Sequence, residues 1–99
     1  LGALAPAAAA AAWERELDAT LGALARVLAP DGRAALLIAD SAIGRAPLWA
    51  DELVARLAER RGLTVALRAS QRRPHFHAPT RAAFGGRARR EHLIVLERG

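Results

Sequence analysis

The chain has 99 residues, 26 of them alanine, and all 15 of its basic residues are arginine, for a net charge of +5. That length bounds it to one domain or a piece of a larger one, and with large apolar side chains at only about a quarter of positions its core is modest. Cysteine is absent, which excludes a disulfide framework and a thiolate metal site.

The N-terminal stretch LGALAPAAAAAAW has no positive flank and is too short to span a bilayer, so it reads neither as a signal peptide nor as a membrane anchor. Alanine favours helix, and proline suits a first helical turn. The sequence predicts a helix over 6–29, with Trp13, Leu17, Leu21, Leu24 and Leu28 on one face. Pro30, Asp31 and Gly32 end it. A continuous apolar run follows, predicting a strand over 33–39 buried on both faces, as in a parallel sheet. Residues 42–49 read as a loop. A second helix is predicted over 50–61, with Leu53, Val54 and Leu57 inward, Asp51 and Glu52 in its first turn and Gly62 just past its end. The next segment, 63–70, alternates, so Leu63, Val65, Leu67 and Ala69 are expected on one dry face. A basic loop spans 71–90, and a last strand 91–98. The unit at 34–70 predicts a parallel crossover, and the last strand, returning from the far end, is expected to be antiparallel.

Charge is unevenly placed along this order. Residues 1–50 hold four Arg against five acids, and residues 51–99 hold eleven against five. From Arg68 to Arg90 there are seven arginines and no acid. A one-sided basic segment points to an anionic partner, nucleic acid before membrane; the alternative is a solvated loop whose arginines reflect a GC-rich genome. Loops of this length in compact domains are commonly functional or disordered.

The stretch LARVLAPDGRAALLIADS, the helix ending in Arg61-Gly62-Leu63 and the closing REHLIVLER resemble the C-terminal half of class I S-adenosylmethionine-dependent methyltransferases. The resemblance covers the whole chain. It implies an α/β fold: a partial Rossmann-like sheet in the order helix, strand, helix, strand, long loop, strand, with the last strand antiparallel and slotted between the two before it. The Asp-Ser after the first strand and the Arg-rich loop are most similar to members acting on DNA or RNA bases. The family's Gly-rich cofactor loop, the acid after its second strand and its Asn/Asp-Pro-Pro-aromatic motif have no counterpart among these 99 residues. The resemblance therefore implies S-adenosylmethionine as cofactor of a complete protein, with no cofactor, metal or catalytic site in this chain alone. It also implies a cytoplasmic protein whose N-terminal half completes the sheet, and the start at Leu1 is the expectation of a fragment.

Ligands of open parallel sheets bind beyond the carboxyl ends of the strands, so the candidate substrate residues are those expected there. Asp40 and Ser41 would orient a substrate amino group, or cap the following loop. Arg72, Arg73 and Arg81 are expected to contact phosphates through their planar forks, joined by His75 and His77. Phe76, and with it Phe84, would stack on exposed bases. His75-Phe76-His77 also has the form of a metal-binding pair to which His92 could fold close, but without a third ligand at fitting spacing phosphate or base contact is the stronger expectation. Trp13 is expected in the core. No Ser/His/Asp nucleophile arrangement and no paired carboxylates stand out, so a hydrolase is unsupported. The alternatives to a methyltransferase portion are a non-catalytic nucleic-acid-binding module and a structural piece with a solvated loop. An exposed sheet edge would also permit a dimer.

Overall fold

A computed structural model describes residues 6–43, 46–73, 84, 85 and 87–99. The elements are α1 (Pro6–Val27), β1 (Arg33–Ala39), β2 (Ser41–Ile43), β3 (Ala46–Leu48), α2 (Ala50–Arg60), β4 (Leu63–Arg72) and β5 (Arg90–Arg98). They form a mixed α/β unit with one three-stranded sheet of order β1-β5-β4. β5 runs antiparallel to both neighbours, so β1 and β4 are parallel to each other without touching. None of the helices among the described residues is long and apolar enough to cross a membrane.

Both helices pack on one face of the sheet, because each carries its apolar side chains at helical spacing. Leu21 of α1, and Leu53, Val54, Leu57 and Ala58 of α2, close on Leu63, Ile94 and Leu96. Trp13, Leu17, Leu24 and Leu28 line the same core from the side, as the α1 stripe predicts. α2 ends as expected: Gly62 takes φ +73°, where a side chain would be strained.

Three sequence expectations are corrected. Residues 42–49 are not a plain loop, since β2 and β3 pair as a short antiparallel hairpin. β1 is not buried on both faces. Leu36 and Ile38 pack on the core, while Leu37 between them is 71% exposed, because neighbouring strand residues point to opposite faces and the helices cover only one. β4 does not alternate evenly. Its pairing with β5 slips between Val65 and Leu67, leaving Ala66 as the extra residue of a bulge. Beyond that point the strand changes phase. Leu67 joins Val95 and Ala69 joins Leu93 on the bare face, while Arg68 and Ser70 stand beside Ile94 and His92 on the helix side.

Candidate functional site

The carboxyl ends of β1 and β4 meet the start of β5 at one edge. Ala39 pairs with Glu91, and Arg72 with Arg90. The sequence places a histidine on β5 two residues before Ile94, and alternation carries its ring to the helix side. His92 is 1% exposed there, beneath the N-terminus of α2. Its Nδ1 lies 2.7 Å from Ser70 Oγ, brought inward by the β4 bulge, and its Nε2 lies 2.8 Å from Asp40 Oδ1.

Asp40 is the node that ties three elements together. Its Oδ1 also accepts the first amide of α2, Ala50 N–H, at 2.9 Å. Its Oδ2 accepts Arg90 N–H at 3.0 Å. Its own N–H donates to Arg90 O at 2.8 Å, extending the β1–β5 ladder, and Arg89 Nε donates to its carbonyl at 3.0 Å. α2 has no side-chain cap from its own preceding residue, Trp49; the carboxylate of Asp40 serves that N-terminus instead, where negative charge is favoured. Asp51, in the first turn of α2, holds Oδ1 3.7 Å from His92 Nε2, and its Oδ2 accepts Arg68 Nη1 at 3.4 Å.

Two sequence expectations bear on this centre. A Ser–His–Asp chain does exist, from Ser70 through His92 to Asp40, although none was legible in the sequence. Hydrogen bonds at both ring nitrogens satisfy a buried imidazole, and they hold the ring in one orientation. Asp40 makes the contacts of a cap and a strand clasp, with both carboxylate oxygens engaged inside the fold. Ser41, its neighbour, begins the β2–β3 hairpin and is part-exposed.

The same edge carries the basic residues. Arg72 and Arg73 are exposed at the end of β4, and Arg73 N–H continues the ladder to Arg89 O at 2.9 Å. Arg72 stands directly across from Arg90, a like-charge cross-strand pair, which is unfavourable in itself. Arg33, Arg56, Arg61, Arg68 and Arg87 all pair with acids. Arg72, Arg73 and Arg90 have no such acid partner among the described residues. His75, Phe76, His77 and Arg81 lie outside the described residues.

Phe84 does not offer its ring to a base. It is 3% exposed and lies 5.1 Å from the Trp49 ring. Arg87 covers Trp49, its guanidinium carbon 3.8 Å from the ring centroid, and also pairs with Glu52 at 2.9 Å. This arrangement spends an arginine of the basic segment on the fold. Sequence reasoning missed Ser70, Asp51 and Arg90 as site residues, and considered His92 only as a third ligand beside the His75 and His77 pair. The alternation of His92 with Ile94 and Leu96 was a usable signal for that residue.

Among the described residues, the cofactor that the resemblance implies finds no Gly-rich turn to hold it. A Gly-rich turn would have to lead from a strand into a helix. Of the two glycines at positive φ among the described residues, Gly62 follows a helix, and Gly85 lies in the basic segment before β5. No known family, curated protein or solved structure matches the chain.

Proposed function

We propose that this chain is the C-terminal, nucleic-acid-facing portion of an S-adenosylmethionine-dependent methyltransferase. The observation that carries the nucleic-acid part is the arginine cluster at the carboxyl edge of β1 and β4. Arg72 and Arg90 face each other without an acid between them, with Arg73 alongside. A phosphate backbone supplies the missing counter-charge, and guanidinium forks bind phosphate oxygens in pairs. The methyltransferase part is supported by the antiparallel β5 between β1 and β4, the strand placement that the resemblance implies, and by two helices on one sheet face.

In this reading the chain's own residues bind and position nucleic acid, and no methyl-transfer step is assigned to them. Asp40 and His92 keep the edge rigid, so that the arginines project from fixed strand ends. Binding of single-stranded DNA and RNA oligonucleotides, followed by fluorescence anisotropy across a salt series, tests the interface. The parent chain should bind with a negative log–log salt slope, and replacing Arg72, Arg73 and Arg90 by Ala should flatten that slope by roughly one unit per contact. A triple variant that binds like the parent at every salt concentration refutes the interface. The methyltransferase assignment is tested separately, by methyl incorporation from labelled S-adenosylmethionine into nucleic acid by the product of the whole gene. Binding without incorporation would leave the non-catalytic binding module as the function.

A further inference from the structure

We propose that Asp40, Asp51 and His92 form a binding site for one divalent transition-metal ion of the zinc type, independent of the nucleic-acid interface. One ligand atom from each residue falls within a group no wider than 4.8 Å. His92 Nε2 is 2.8 Å from Asp40 Oδ1 and 3.7 Å from Asp51 Oδ1. An ion about 2 Å from each donor spans donor pairs up to about 4 Å apart; both histidine–carboxylate separations fall inside that limit, and the Asp40–Asp51 pair lies within 4.8 Å.

The second observation is an oxygen without a partner. Asp51 Oδ1 is buried and accepts no hydrogen bond, although Asp51 Oδ2 is held by Arg68. Leaving a buried acceptor unpaired is costly, and more so when it is charged. Such atoms in native proteins call for a water or an ion. This one points at the imidazole nitrogen that already faces the Asp40 carboxylate.

The third observation concerns the imidazole itself. Ser70 Oγ, at 2.7 Å from Nδ1, can accept as well as donate. When Nδ1–H donates to it, the lone pair of Nε2 is turned toward the two carboxylates. Ligating histidines are characteristically held by such a bond at the other ring nitrogen. The N–H groups of Ala50 and Arg90 fix the Asp40 carboxylate in the same way. Two carboxylates neutralise a doubly charged ion, and one nitrogen with two oxygens suits zinc better than magnesium, which prefers oxygen ligands throughout. An ion here would clasp the end of β1, the start of α2 and β5 at one point.

The experiment is calorimetric titration of the chelator-treated chain with Zn²⁺, Mn²⁺ and Mg²⁺, with a cobalt(II) absorption spectrum as a second readout. One Zn²⁺ should bind per chain, tighter than Mg²⁺, and raise the melting temperature. Asp51→Asn keeps the side-chain shape and should weaken Zn²⁺ by more than about a hundredfold, while Ser70→Ala, acting only through the ring, should weaken it about 10–100-fold. The His75→Ala, His77→Ala double variant should bind as the parent does. Three results overturn the proposal: no Zn²⁺ binding by chain that is folded by circular dichroism, undiminished binding by both Asp51→Asn and Ser70→Ala, or loss of binding in the histidine double variant. If Asp51→Asn fails to fold, Ser70→Ala and the cobalt spectrum of the parent decide. A spectrum without nitrogen ligation, or Ser70→Ala binding like the parent, counts against the site.

Discussion

Asp18 and Arg61 join α1 to the end of α2 through two hydrogen bonds, at 3.1 and 2.8 Å. The guanidinium beside it, first by hydrogen bonding and then by charge, holds the Asp18 carboxyl below its ordinary value. A carboxyl whose folded pKa is depressed stabilises the fold above its unfolded value, and that contribution disappears as the pH falls through the folded pKa. The pair is partly solvent-exposed, so the effect is small and screened by salt. Asp18→Asn should therefore lower the thermal midpoint at neutral pH and low ionic strength. The difference from the parent should shrink as the pH falls through the lowered folded pKa and vanish once the carboxyl is protonated in both states. Thermal melts between neutral pH and pH 2 check this. A constant gap between the two proteins at all pH values would show that Asn disturbs packing rather than charge. The same scale explains why the centre at His92 was hidden from sequence reading. Asp40 and His92 are 52 positions apart, and no local pattern joins them. His92 falls within the expected last strand, which begins one residue earlier, at Arg90, but nothing in that strand's pattern marks Asp40 as its partner.

At the scale of elements, the legible features were those with a strong period. The α1 stripe, the α2 apolar face and the placement of Gly62 followed from spacing and helix-end chemistry, and the antiparallel direction of β5 followed from the order of elements. The β4 bulge was not legible. Val65, Ala66 and Leu67 alternate without a break in the sequence, and a period-2 pattern carries no mark of one extra residue. Pairing with β5 decides the matter, because Ser70 and Arg68 find partners only on the helix side. The bulge makes a sharp claim about two leucine-sized side chains. Leu67 stands on the bare face, 51% exposed, so Leu67→Ser should cost less than about 1 kcal/mol. Ile94 is fully buried, and Ile94→Ala should cost about 2–5 kcal/mol through lost burial and the cavity left behind. Urea unfolding of the two variants ranks them. A Leu67→Ser cost equal to that of Ile94→Ala would mean that β4 pairs without the bulge and that Leu67 lies in the core.

At the scale of the molecule, the sheet has one covered face and one bare face. Leu37, Leu93, Val95, Leu67 and Ala69 are register neighbours there, and three of these leucines are at least 40% exposed. β1 also ends the sheet with no partner on its outer side among the described residues. An apolar face of this kind joined to an open strand edge is a surface that associates. The sequence made half of this visible, because three consecutive apolar residues, Leu36, Leu37 and Ile38, cannot all face one helix layer. The same run also read as a strand covered on both sides, as in a complete parallel sheet, and in this chain the second side is open at Leu37. The chain should self-associate as its concentration rises, and bind an apolar dye while its circular dichroism stays native. Replacing Leu37, Leu67 and Leu93 together by Ser removes apolar area from water contact without touching the core, whose members are Leu21, Leu57, Ile94 and their neighbours. That variant should keep the melting temperature of the parent within a few degrees, because surface substitutions are usually worth less than about 0.5 kcal/mol each. It should also sediment as a monomer where the parent does not. The salt dependence separates this contact from the arginine edge: burial of apolar surface weakens little with added salt, whereas phosphate binding falls steeply. A parent chain that stays monomeric at millimolar concentration, without dye binding, would contradict the account of the bare face and leave the arginine edge as the association surface to examine.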